Sequence, residues 1–168
     1  MDFENIVLGL PQQARFRPKA IIGRVLDVGK IVVKRSYADW GRYSKDKLKL
    51  HALGFDLLDI PVRSMTGKNS ADIRMVVDAM EMIITSPHID TFALVTGDSD
   101  FTPLVSKLRE HDKHVIGIGV KKSSSKLLIE SCDEFVFYDE IAGTHSDSKR
   151  KQAGVTLAKS TKVKTRAA

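Results

Sequence analysis

Two aspartates follow a segment that is typical of a buried strand. Asp98 and Asp100 come shortly after the apolar run 92–95, FALV, and directly before a helix with apolar residues at helical spacing. Open α/β sheets bind their ligands just beyond the carboxyl ends of parallel strands. The sequence 96–100, TGDSD, is therefore the first place to expect chemistry.

Two further acids are expected at the same edge of the sheet. Asp2 stands where a first strand would end, although nearly all of such a strand would lie outside this sequence, which predicts a truncated first strand. Asp72 lies in the first turn of a long helix that Ser70 is expected to cap. Its place at the margin of that helix's apolar stripe would let its side chain reach toward the strand ends.

Clustered carboxylates require a counter-charge. Two of them ~4 Å apart at an effective dielectric of ~20 repel by about 4 kcal/mol. Mg²⁺ and Mn²⁺ are hard cations that take such oxygen ligands, and they can activate water and stabilise the leaving oxygen of a phosphodiester. The histidines are scattered without metal-ligand spacing, and no Ser/His/Asp set is evident. The residues thus favour metal-assisted hydrolysis.

The segments that would hold these acids alternate between strand and helix. Strands are predicted at 30–37, 55–62, 92–95, 114–120 and 134–138, and helices at 19–28, 44–53, 70–85, around 101–108 and at 124–132. Residues 7–18 and 63–69 are predicted loops. Such alternation indicates an α/β fold with a mostly parallel central sheet. In the long helix the predicted core-facing stripe is Ile73, Val76, Val77, Met80, Ile83 and Ile84.

Composition and charge favour a single globular domain followed by a basic tail. The 168 residues are 42% hydrophobic, and no apolar run approaches the ~18 residues of a membrane span, so neither a span nor a signal peptide is expected. From residue 143 the chain has seven Lys and Arg residues and one acid, which accounts for the net charge of +6. We predict a domain at 1–142 and a disordered tail or linker at 143–168. A single cysteine favours the cytoplasm.

Four motifs together resemble a known family. They are DFEN at 2–5, KNSAD at 68–72, TGDSDF at 96–101 and the ending SCDEFVFYDEI. In this order and spacing they resemble the NYN branch of the PIN-like ribonucleases, closest to its LabA-like members. The resemblance covers residues 1 to about 141. It implies a PIN-like Rossmannoid three-layer sandwich that cleaves RNA with a divalent metal ion, Mg²⁺ or Mn²⁺.

The resemblance also implies roles for individual residues. Asp2, Asp72 and Asp98 would bind metal, with Asp100 as a fourth and less constant acid. The expected substrate contacts are Asn5, which would orient a water or ligand, Lys68, which could touch a phosphate, and Ser99. Asp78 fits the family pattern as well, but its position about 160° from the centre of the predicted stripe points it away from the site.

Other interpretations stay open at this point. The acids at 98–100 could serve only as a helix cap and first-turn charges. The protein could be a non-catalytic RNA-binding or regulatory module, and a homodimer also stays open. A phosphatase of the haloacid-dehalogenase type is disfavoured because position 4 is Glu where that family has a second Asp. The tail could bind RNA through its charge or link to a further domain, and we favour a linker.

Overall fold

The computed structural model describes residues 1–61 and 70–143. Over these residues the predicted alternation of strands and helices is confirmed. The elements in chain order are α1 Phe3–Gly9, α2 Pro18–Leu26, β1 Arg35–Ala38, α3 Ser44–Ala52, β2 Asp56–Asp59, α4 Ser70–Thr85, β3 Thr91–Val95, a 3₁₀ turn Ser99–Phe101, α5 Thr102–Glu110, β4 His114–Gly119, α6 Lys126–Ser131 and β5 Glu134–Phe137. Residues 138–143 are also helical.

The first two residues join two groups of parallel strands. β1 pairs with β2, and β3, β4 and β5 pair in that order, all in parallel. Between the groups, Tyr37 N donates to Met1 O at 3.0 Å and Asp2 N donates to Val95 O at 3.0 Å. Asp2 also forms a parallel bridge with Tyr37. The sheet order is therefore β2, β1, residues 1–2, β3, β4, β5.

Side chains alternate between the two faces of this sheet. On one face Val95, Ile116 and Ile118 pack with residues of α1, α2 and α3. On the other, Phe92, Leu94 and Val115 pack with residues of α4, α5 and α6. Alternation with a period of two places a hydrophobic core on each side. The result is the predicted α/β architecture with a helical layer on both sides of a parallel sheet.

The beginning of the chain differs from the prediction in two places. Residues 3–9 form helix α1, where a loop was expected from residue 7, and Asp2 caps this helix by accepting from Asn5 N at 3.2 Å. The strand predicted from residue 30 begins only at Arg35, because β2 offers its first partner at Asp56. Beside residues 30–35, an apolar cleft of about 510 Å³ separates β1 from β3.

The long helix α4 has the predicted bounds but a different buried face. Met75, Asp78 and Ala79 are buried, whereas Ile73 and Val77 of the predicted stripe are exposed. Three residues of the predicted stripe, Val76, Met80 and Ile83, do pack against the core. The outward placement of Asp78 was wrong. Because apolar residues surround most of this helix, their spacing alone does not define which side faces the core.

The loop predicted at 63–69 and the tail predicted at 143–168 fall almost entirely outside the described residues. Lys68 is among the residues that are not described.

Candidate functional site

Acidic side chains surround a cavity of about 200 Å³ at the carboxyl ends of the strands. Asp2, Asp72 and Asp98, which come from three separate segments, all line it. The other lining residues are Glu4, Asn5, Tyr37, Ala38, Asp39, Ile60 and Ala71. The fold thus brings together three of the acids singled out in the sequence.

Asp2 is held by hydrogen bonds to both of its carboxylate oxygens. Oδ1 accepts from the backbone N–H of Asn5 at 3.2 Å, and Oδ2 accepts from Thr96 Oγ1 at 3.2 Å. Burial raises the pKa of Asp2, while these two donors and the amino terminus oppose the rise and Asp98 adds to it. A carboxylate offers about four acceptor positions. Asp2 can therefore accept these bonds and still coordinate a cation.

Thr96 connects Asp2 with Asp98. Its fully buried hydroxyl donates to Asp2 and accepts from the backbone N–H of Asp98 at 3.3 Å. Asp98 Oδ1 in turn accepts from Asp100 N at 2.9 Å and so caps the 3₁₀ turn. The capping role considered for this motif is therefore real. It occupies one oxygen of Asp98 and is compatible with a second role at the cavity.

Burial and neighbouring negative charges perturb the acidity of Asp72. Its pKa is raised to about 6, first by burial and then by the negative charges of Asp2, Asp98 and Asp100. Those charges act on Asp72 only because the fold places the four acids near one another. The site thus favours a bound positive charge.

Helix α4, whose first turn carries Asp72, is anchored by a buried carboxylate farther along the helix. Asp78 Oδ2 accepts from Tyr37 Oη at 2.9 Å, and Asp78 Oδ1 accepts from Arg74 Nε at 2.9 Å. Arg35 Nη1 lies 3.5 Å from Asp78 Oδ2. Since Tyr37 also lines the cavity, these contacts anchor α4 to the strand beside the site. The wheel position of Asp78 was no guide to this role.

The other predicted site residues have varied positions. Asn5 lines the cavity, and its Oδ1 accepts from Gly97 N at 2.8 Å, so it holds the loop that carries Asp98. Asp100 is exposed and Ser99 is half-buried, and neither lines the cavity. Lys68 lies outside the described residues.

Glu4 and Asp39 line the cavity, although the sequence reasoning did not select them. Asp39 N donates to Glu4 Oε1 at 3.3 Å. Asp39 directly follows β1, so the rule that identified Asp98 could have identified it too. Glu4 lies within the DFEN motif, between Asp2 and Asn5.

The donors around the cavity fit a hard divalent cation. They are carboxylate oxygens, but within residues 1–61 and 70–143 no three His, Cys, Asp or Glu side chains are grouped closely enough to enclose a metal ion. Mg²⁺ usually keeps several waters and binds through one or two carboxylates. The arrangement therefore fits a partly hydrated ion better than an ion enclosed by protein ligands.

Comparisons with known proteins agree with the motifs. The family model described as "NYN domain" matches residues 1–139. The uncharacterized protein MJ0482 of Methanocaldococcus jannaschii is 35% identical over 109 residues, which cover 64% of this chain and 41% of that protein. This chain therefore spans about two fifths of that relative's length.

A solved structure is similar in fold. It is a protein of unknown function, VPA0982, from Vibrio parahaemolyticus, with a TM-score of 0.65 and 24% identity over 77% of this chain and 83% of the other. In the described part of this chain, no helix is both long and apolar enough to cross a bilayer.

Proposed function

Because the chain belongs to the NYN domain family, we propose that it is a nuclease that hydrolyses RNA phosphodiesters with Mg²⁺ or Mn²⁺. The observation that supports this most strongly is the cavity bordered by Asp2, Asp72 and Asp98, where burial and, after it, the neighbouring negative charges raise the pKa of Asp72. A bound divalent cation would stabilise such a site. The same cation could activate the water that hydrolyses an RNA phosphodiester. We also propose that the chain belongs to the LabA-like branch.

In this proposal Asp2, Asp72 and Asp98 hold the cation, and Asp100 supports them through its charge. The bound ion would lower the pKa of a coordinated water and stabilise the leaving oxygen. Thr96 and Asn5 keep Asp2 and the loop at Asp98 in place through their hydrogen bonds. Asn5, Ser99 and Lys68 remain the proposed contacts to RNA.

We also propose that the protein acts in the cytoplasm and that its basic tail is a linker to a further domain.

The alternative function is that of a non-catalytic RNA-binding module. The observation that favours it is that no three described acids are grouped as a ready metal site. Metal-dependent cleavage of RNA would distinguish the nuclease from the non-catalytic module.

Cleavage of end-labelled RNA tests the proposal. The wild-type protein is expected to cut RNA in Mg²⁺ or Mn²⁺ and to stop in EDTA. Asp98→Asn should reduce the rate by about 100-fold, roughly 2.7 kcal/mol of transition-state stabilisation. Asparagine is a good helix cap, so this change should spare the 3₁₀ turn.

The matched control is Asp112→Asn. Asp112 is exposed beyond α5 at φ 55°, a backbone conformation that asparagine tolerates. This variant should cut RNA at the wild-type rate. Activity that persists both in EDTA and in Asp98→Asn would refute the proposal, and RNA binding without any cleavage would favour the non-catalytic module.

A further inference from the structure

The outer side of α4 carries an exposed apolar stripe. Ile73, Val77 and Ile84 are 63%, 55% and 81% exposed, and Met80 between them is half-buried because it also packs against the core. Their spacing places them on one side of a helix about 24 Å long. Apolar residues that are scattered singly on a surface need no explanation, but a continuous stripe of this kind marks an interaction site.

The same helix is also apolar on its inner side. Met75 and Ala79 are buried against Phe92 and Leu94 of the sheet. A helix that is hydrophobic on both sides is typical of one packed between two partners. The sheet supplies the inner partner, and nothing within residues 1–61 and 70–143 covers the outer stripe.

We propose that a second copy of this chain covers the stripe, with the two α4 helices packed antiparallel about a two-fold axis. The charges beside the stripe support this choice. Arg74 and Glu81 flank it on the same side, about two helical turns apart, and both are exposed. A two-fold axis near the middle of α4 brings Arg74 of each copy opposite Glu81 of the other.

The apolar residues agree with the same register. The axis that pairs Arg74 with Glu81 also brings Ile73 to within two residues of Ile84 in the second copy, and Val77 to within two residues of Met80. A surface that is complementary to itself is what a two-fold dimer requires. The one base and one acid of this face also give it no net charge, which does not suit a polyanion such as RNA.

Arg74 is already oriented for such a contact. Its Nε donates to Asp78 at 2.9 Å, while 55% of the side chain remains exposed. Less side-chain entropy is lost when a partly fixed guanidinium pairs than when a free one does. Because Ile73 directly follows Asp72, the contact would begin beside the acidic cavity.

Sedimentation equilibrium of the full chain tests this proposal. A single helix pair buries less than a standard interface, so the measurement should span protein concentrations from about 1 µM to about 1 mM. The wild-type protein should show a monomer–dimer equilibrium in this range. Val77→Asp should raise the Kd by ~100-fold, because the dimer would bury an unpaired charge. Leu48→Asp is the matched control, since Leu48 is 74% exposed on α3 and should not affect association.

A charge reversal tests the register. Glu81→Arg would set two guanidinium groups, the new one and that of Arg74 in the second copy, against each other. This change should raise the Kd by about 3- to 10-fold, with a smaller effect at high salt. Glu130→Arg makes the same change in charge on α6, where Glu130 is exposed, and should leave the Kd unchanged.

A wild-type protein that stays monomeric, or a dimer that is unaffected by Val77→Asp or by Glu81→Arg, would overturn the proposal. Circular dichroism of each variant confirms that α4 is intact.

Discussion

Asp72 illustrates how the single residues of the site act together. Its pKa is raised first by burial and then by the charges of three other aspartates that the fold places near it. Asp2 and Asp98 were predictable because acids after parallel strands meet at one edge of a sheet. Asp78 was not, because its inward position depends on Tyr37 and Arg35, which are distant in the sequence.

The stability of the metal-free protein should depend on Asp72 in a defined direction. The pKa of Asp72 is about 6 in the folded protein against 3.8 as its ordinary value. The folded state therefore binds this proton more tightly, and the stabilisation present below about pH 4 is lost as the pH rises through about 6. Asp72→Asn should remove this loss.

At pH 7 in chelator we expect Asp72→Asn to be more stable than wild type by about 1 kcal/mol, after discounting the shift for the partial exposure of Asp72. This corresponds to a rise in Tm of roughly 2–4 °C. Thermal melts at pH 4 and pH 7 measure the effect, which should nearly vanish at pH 4. A variant that melts at or below the wild-type temperature at pH 7 would argue against a crowded acidic site.

Among the elements, the strands and helices of the second half were predictable almost to the residue. Their apolar runs are short, and turn residues separate them. The hydrophobic period and the length of each run therefore indicate the same type of element. α4 shows where this reasoning fails, because a helix with apolar residues on most sides has no single stripe. β1 begins late because its pairing with β2 begins only at Arg35 and Asp56, and the sequence around residue 30 does not encode that pairing.

The turn at Gly97 requires the absence of a side chain. A Cβ at this position would lie 2.9 Å from Ser124 Cα and 3.0 Å from Ser123 O, and Gly97 O accepts from Ser125 N at 2.8 Å. Gly97→Ala would therefore push apart two loops, one of which carries Asp98. We expect a loss of about 1–3 kcal/mol in the free energy of unfolding and a lower cleavage rate.

Gly29→Ala is the control for this change. A Cβ at Gly29 has no neighbour within 4 Å and the φ angle there is not positive, so the substitution should be neutral or slightly stabilising. Urea unfolding of both variants measures the difference. If Gly97→Ala and Gly29→Ala had the same free energy of unfolding, the two loops at Gly97 would not be in tight contact.

At the scale of the whole molecule, the site depends on how the two groups of strands are joined. Only residues 1–2 of the described chain hydrogen-bond to both β1 and β3, and Asp2 belongs to this link. The alternation of elements predicted the parallel sheet, and the four motifs predicted the family. The order of the strands and the apolar cleft between them could not be predicted, because both depend on contacts between distant segments.

The most direct test of the central claim is a crystal of this protein soaked in Mn²⁺ and measured for anomalous scattering. We predict a peak in the cavity, about 2.2 Å from carboxylate oxygens of at least two of Asp2, Asp72 and Asp98, with waters completing the octahedral coordination. A cavity without a peak at saturating Mn²⁺, or an ion bound only by other residues, would contradict the account.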